Sequence, residues 1–351
     1  MPITYGKMRN NIYYDIERTE KYKQPYNFVI GGRGTGKTYG TLKYMVENKH
    51  KFVLLRRTQT ELNMTLDSKH IDLGDVSMNV DISPFKKLAS DLDWKVEIHR
   101  VNKDLYAIVI NGELLGYGMS LNTMHKIRGF DASDVEYIVY DEFIPQRQAR
   151  PIPDEGGAFF NAYETINRNR EIEGRDPVRA YLLANANNIE AQILEDTGLS
   201  TVIEHKMINK SKKFYIDSNR GYTIELLGNA RFAEEKKKGV LYRFTKGTQF
   251  SRMAFENQFA YDDFTNIRQY NIREYLPYFA VGDYGIYTHK SRDEYYISKC
   301  KQSFSERFPF SDYGIKQSIR AHGRELYKAY MESRIFFESY ECKKLLTKIV
   351  G

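Results

Sequence analysis

Eight residues constrain this chain more than any others. Gly31, Gly32, Arg33, Gly34, Thr35, Gly36, Lys37 and Thr38 spell G-x-x-x-x-G-K-[ST] directly after the apolar run Tyr26-Asn27-Phe28-Val29-Ile30. Such a pattern belongs where a strand stops and a helix begins. The glycines let the backbone curl so that its N–H groups point inward, and a helix starting near Lys37 aims its partial positive end at the same point. A turn of this kind cradles a nucleotide's phosphates, with Lys37 on the β and γ oxygens and Thr38 holding Mg2+. The bland alternative is a glycine-rich turn without a ligand. The stringency of the match and its place between an apolar strand and a helix weigh against that.

A phosphate cradle alone does not separate a hydrolase from a kinase or a nucleotide sensor. A second run, Tyr137-Ile138-Val139-Tyr140, ends in Asp141-Glu142, and carboxylates at a strand's end stand where α/β sheets bind ligands. Asp141 there would hold Mg2+ and Glu142 would accept a proton from an attacking water. In isolation Asp-Glu after a strand also suits an ordinary helix N-terminus. Asn185, ending Tyr181-Leu182-Leu183-Ala184, is placed to sense a γ-phosphate or simply to form a turn. In FFNAYETINRNREI the residues Phe159, Phe160, Tyr163 and Ile166 recur at helical spacing. Arg168 and Arg170 are then expected to point away from the core, as exposed arginines or as a cation offered to a neighbour's site.

With 351 residues the chain exceeds what one hydrophobic core usually organises. Strands are expected at 26–30, 52–57, 137–140 and 180–184, alternating with helices around a mainly parallel sheet. A hairpin insert over 95–118 turns at Asn111-Gly112, both of which tolerate positive φ. From 201 to 250 apolar runs shorten and lysines accumulate, which reads as a basic linker. Beyond it YFAV, YGIYTH and EYYIS read as strands, with helix from about 313. The domain expectation is 1–200, a linker over 201–250, and 251–351.

Residues 201 to 351 hold 27 Lys and Arg against 18 Asp and Glu, while the remainder is close to neutral. A basic second part suits a polyanion such as double-stranded DNA, with Lys212, Lys213, Lys236, Lys237 and Lys238 as candidate contacts. A merely solvated basic surface fits the charge equally well. No run of about 18 apolar residues exists, so no membrane partner is expected. The two cysteines and seven histidines show no zinc-binding spacing.

The segments NFVIGGRGTGKTYG, FVLLRRTQTEL, IRGFDASDVEYIVYDEF, INRNRE and LLANANNI stand in the order found in genome-packaging ATPases of phi-twenty-nine-like, protein-primed tailed bacteriophages. The chain resembles that family, a branch related to the large terminases, over about residues 26–190. The resemblance implies an α/β P-loop NTPase of the additional-strand, conserved-glutamate type. It also implies a smaller C-terminal α+β domain resembling a vestigial RNase H-like nuclease that binds nucleic acid without cutting it. It further implies ATP and Mg2+ as cofactors, a homomeric ring of neighbouring copies, double-stranded DNA as cargo, and a prohead portal as partner, with a prohead RNA as a further candidate. The place of action would be the host-cell cytoplasm, in transient attachment to the prohead. Carried over by position, Lys37 and Thr38 match the Walker A pair, Asp141 and Glu142 the Walker B pair, Arg33 the loop arginine, Arg168 the finger acting in trans, and Arg128 a basic residue ahead of Walker B.

Two other readings stand beside this one. A terminase-type nuclease with an auxiliary ATPase needs converging carboxylates after residue 250, for which Asp283, Asp293 and Glu294 are the nearest offer. A helicase-like or protein-remodelling ATPase would not require the basic second half.

Overall fold

The computed structural model describes residues 13–67, 69–72, 77–80, 83–126, 132–146, 149–150, 152–186, 189, 191–228, 238–244 and 266–350. The chain divides into two compact units, Met1–Ile203 with Ser211–Tyr261, and Glu204–Lys210 with Asp262–Gly351.

The first unit is built on nine strands: β1 (Tyr26–Gly31), β2 (Phe52–Arg56), β5 (Val96–Asn102), β6 (Leu105–Ile110), β7 (Glu113–Ser120), β8 (Tyr137–Asp141), β9 (Arg179–Asn185), β10 (Phe214–Asp217) and β11 (Tyr222–Leu227). A separate antiparallel ribbon pairs β3 (Lys69–Asp72) with β4 (Ser77–Val80). The nine run in the order β10-β11-β1-β9-β8-β2-β7-β6-β5. From β11 through β7 every pairing is parallel, and β10 and the β5–β6 pair cap the two ends antiparallel. Parallel strands covered on both faces read as unbroken apolar runs. That is why β1, β2, β8 and β9 were legible from Phe28-Val29-Ile30, Phe52-Val53-Leu54-Leu55, Ile138-Val139-Tyr140 and Tyr181-Leu182-Leu183-Ala184, all buried. Strand β9 lies between the glycine-rich strand β1 and the carboxylate-bearing strand β8.

Three expectations are corrected here. Residues 201–250 are not simply a linker, because β10 and β11 belong to the main sheet and all six residues of β11 are buried against β1. Lysine density and the polar Thr223 and Glu225 hid the strand. Both polar groups are partnered: Thr223 donates to Asn27 Oδ1 at 2.7 Å, and Arg18 meets Glu225 at 3.5 Å. The hairpin turns at Asn111 (φ 52°) and Gly112 (φ 81°) as expected, yet it is no insert, since β7 continues the sheet beside β2. Helix α1 (Lys37–Glu47) starts as expected, but the helix Glu155–Asn167, named α4 below, stops before the arginines. Its residues Phe159, Tyr163 and Ile166 are buried, whereas Phe160 is 39% exposed.

Between these lie α2 (Gln59–Leu66), opened by a capping box of Thr58 and Glu61, and α3 (Pro84–Leu92). In the second unit β12 (Tyr275–Val281), β13 (Tyr284–His289) and β14 (Tyr295–Lys299) form an antiparallel meander, flanked by the short parallel strands β15 (Arg307–Phe308) and β16 (Ile335–Phe337). Together they make a five-stranded sheet in the order β15-β12-β13-β14-β16. Helices α5 (Asp312–Met331) and α6 (Tyr340–Val350) complete the unit, and Phe279, Val281, Ile286, Ile297, Leu326 and Leu346 share its core. Asp293 is bound by Arg334 at 2.8 Å. Among the described residues no group of three or more His, Cys, Asp or Glu is placed to hold a metal ion, and no helix is long and apolar enough to cross a membrane.

Candidate active site

The carboxyl ends of β1, β9, β8 and β2 bring the site together. Register pairs Gly31 with Asn185 and Asp141 with Leu183, and Leu55 with Tyr140, so that Arg56 follows beside Asp141. Gly31 has to be glycine, because a Cβ there would stand 2.6 Å from the Leu227 Cβ of β11. Gly36 caps α1 at φ 84°, in the left-handed region where glycine carries no steric penalty. These two constraints set the curl of the loop between β1 and α1.

A cleft of about 440 Å³ opens there, lined by Arg33, Gly34, Thr35, Gly36, Lys37, Thr38 and Tyr39 from the loop and α1, and by Asp141, Glu142, Ala184 and Asn185 from β8 and β9. Lys37 is buried, and its ammonium donates to Gly32 O at 2.9 Å, Gly31 O at 3.1 Å, and Thr35 Oγ1 and Asn185 Oδ1 at 3.3 Å. These partners are neutral oxygens, which an anionic phosphate outcompetes for a charged donor. Thr38 donates its hydroxyl to Asp141 Oδ1 at 2.9 Å. Burial raises the pKa of Asp141, and the nearby Arg56 guanidinium opposes the rise.

Arg56 was not singled out from sequence, yet it spans both carboxylates. Its Nη1 donates to Asp141 Oδ2 at 2.8 Å and its Nη2 to Glu142 Oε2 at 3.0 Å. Glu142 adopts φ 59°, a region that costs a non-glycine residue about 1–3 kcal/mol and persists only where surroundings hold it. Arg57, also missed, is buried and makes a bidentate pair with Glu155 at 2.7 and 2.8 Å, to which Tyr140 adds its hydroxyl at 2.9 Å. The signal for both was their place at the end of an apolar strand, where α/β sheets gather functional groups.

The remaining candidates divide. Arg33 and Asn185 line the cleft. Arg168 stands just past α4 at φ 51°. Arg170 corrects the expectation of an outward side chain: it is buried and donates to Ser133 O at 2.9 Å and Val135 O at 2.5 Å, tying the end of α4 to the segment before β8. Arg128, Lys236 and Lys237 lie outside the described residues. Lys212, Lys213 and Lys238 are exposed and away from the cleft lining. A hard, oxygen-seeking cation suits the donor set of the Thr38 hydroxyl and the Asp141 carboxylate.

The sequence matches the model of the Podovirus DNA encapsidation protein (Gp16) family over residues 8–305, and the chain belongs to that family. It is similar to the DNA packaging proteins of Bacillus phage phi29 and Bacillus phage PZA, each 25% identical over 260 residues, covering 73% of this chain and 68% of theirs. Its fold is that of a chain in the bacteriophage Phi-29 viral genome packaging motor assembly, with a TM-score of 0.63 at 21% identity, covering 96% of this chain and 99% of that one. A chain of the Phi-28 gp11 DNA packaging motor matches with a TM-score of 0.52 at 16% identity, over 97% and 99%.

Proposed function

We propose that this DNA encapsidation protein is an ATP-driven motor subunit that moves double-stranded DNA into a preformed prohead by hydrolysing ATP in the cleft at the ends of β1, β8 and β9. The observation that carries this reading is the Thr38–Asp141 hydrogen bond, which sets the end of a phosphate-cradling loop against a carboxylate with Glu142 beside it. The order β11-β1-β9-β8-β2 supports assignment to the additional-strand, conserved-glutamate type of P-loop NTPase.

In this reading the loop from Gly31 to Gly36 wraps the phosphates, and Lys37 exchanges its carbonyl partners for β and γ oxygens. Thr38 and Asp141 would hold Mg2+, which would neutralise charge on those oxygens. A water attacks the γ-phosphorus as the bond to the β–γ bridging oxygen breaks, and Glu142 takes the proton the water loses. Asn185, hydrogen-bonded to Lys37, is positioned to register the γ-phosphate. Arg56 holds Glu142 and Asp141 in place before nucleotide arrives. Arg168 is the group offered to the site of a neighbouring copy in a ring, and its positive-φ backbone fits a side chain retained for function. Arg128 and Arg33 serve as further cations on the phosphates.

The second unit, as a vestigial RNase H-like domain, contacts nucleic acid, and portal and prohead RNA are the partners expected of a ring at the prohead in the host-cell cytoplasm. The test is ATP hydrolysis by the purified chain with and without duplex DNA and empty proheads. Stimulation by both is expected; hydrolysis indifferent to both contradicts a packaging motor.

A further inference from the structure

Helix α5 carries four cations, Lys316, Arg320, Arg324 and Lys328, at successive i,i+4 positions, and all four are exposed. Each step climbs about 6 Å, so the ladder runs for about 18 Å along one side of the helix. Tyr313, Tyr327 and Met331 share that side and are 68%, 52% and 65% exposed, while Ser318, Leu326 and Ala329 on the opposite side are buried. Like charges at this spacing repel and weaken a helix. The acidic side chains offer little relief: Asp312 stands one turn before Lys316 at the first residue of the helix and forms no ion pair with it. Glu325 on the flank accepts the hydroxyls of Tyr278 and Tyr295, and Glu332 at the helix end is bound by Arg334. Among the described residues none of the four forms an ion pair. Other cations of the same unit do: Lys299 with Glu341 at 2.9 Å, Arg292 with Glu294 at 3.2 Å, Arg334 with Asp293 at 2.8 Å, and Lys301 with Glu338.

We propose that this face of α5 is a docking surface for the phosphate backbone of duplex DNA. The inference rests on the reading of the chain as a DNA-moving protein and names a surface that the overall charge alone did not locate. A regular, single-sign ladder without an apolar pocket complements a regular line of phosphates, and tyrosine hydroxyls are ordinary partners of phosphate oxygens. Contacts of this kind position DNA without reading its sequence. Such indifference suits a protein that must pass a whole genome.

The test uses the full chain and the variant Lys316→Gln, Arg320→Gln, Arg324→Gln, Lys328→Gln, in which glutamine keeps length and helix propensity. Binding to a duplex DNA of mixed sequence is measured over a range of salt. The dependence of log affinity on log salt should become shallower by about 0.9 for each phosphate no longer neutralised, and low-salt affinity should fall at least about tenfold. ATP hydrolysis in the absence of DNA should be unchanged. The pair Arg320→Gln, Arg324→Gln should give about half the change in slope and serves if the fourfold variant does not fold. A folded variant with the wild-type slope overturns the proposal. So does a weakening seen with duplex RNA, or with an acidic polypeptide, but not with duplex DNA. A shallower slope in a protein that does not hydrolyse ATP supports the surface and contradicts the motor reading.

Discussion

Thr38 donates its hydroxyl hydrogen to Asp141 at 2.9 Å, joining the start of α1 to the tip of β8 across 103 positions of sequence. Parallel register makes this possible, because β1 and β8 flank β9 and all three end at the same edge. The same edge brings Arg56 of β2 onto Asp141 and Glu142. The loop, Asp141 and Glu142 are thus positioned by one sheet, as the proposed metal-holding and base roles require.

Arg56→Ala should lower stability in a way that depends on pH. Asp141 is raised by burial and restrained by Arg56, so removing Arg56 raises it further. A carboxyl whose folded pKa exceeds the unfolded value of about 3.9 takes up protons on folding. Its contribution to stability is complete below that value and is lost as pH rises through the folded pKa. The deficit of Arg56→Ala should therefore be small near the acid end and grow towards neutral pH, reaching about 3–5 kcal/mol, the cost of stripping one partner from a buried pair. Urea unfolding at several pH values in a chelator checks this; a deficit independent of pH would show that Asp141 does not depend on Arg56.

The pair Arg57–Glu155 should behave as a buried structural unit. Glu155→Ala leaves a guanidinium that is 2% exposed without its carboxylate and should cost about 3–5 kcal/mol, whereas Arg57→Met with Glu155→Leu should cost far less. A double-mutant cycle on the melting temperature decides; additive losses would mean that the two side chains are not coupled.

Arg168→Gly separates backbone from side chain. Glycine relieves the positive φ at the end of α4, so the fold should be kept or slightly stabilised while the guanidinium is removed. Hydrolysis stimulated by DNA should fall by about 10³-fold or more if the arginine serves a neighbour's transition state. Mixing with Glu142→Gln subunits should restore part of it at shared interfaces. Unchanged activity in Arg168→Gly, or no recovery in mixtures that assemble, would remove Arg168 from the neighbour's site.

The glycine-rich loop, the four central strands and the Asp141-Glu142 pair were legible because each is a local pattern: a fixed spacing, or an apolar run ending in carboxylates. Strand β11 was not. Its burial depends on β1 lying beside it, and the polar Thr223 and Glu225 are tolerable only through Asn27 and Arg18, which are remote in sequence. Arg56 and Arg170 escaped for a similar reason. Arginines read locally as solvated cations, and only the tertiary fold supplies the carboxylates and carbonyls that hold these two. Phe160 shows the converse: a position on the apolar stripe of α4 that the neighbouring elements do not cover.

The most direct test of coupling between this cleft and DNA movement is nuclease protection of duplex DNA by empty proheads, run with wild-type protein and with Glu142→Gln in parallel. With ATP and Mg2+ the wild-type protein should carry DNA into a nuclease-resistant state. Glu142→Gln should still bind ATP, hydrolyse it at least about 10²-fold more slowly, and protect no DNA. Protection by Glu142→Gln at the wild-type rate would contradict the assignment of hydrolysis at Glu142 as the source of movement.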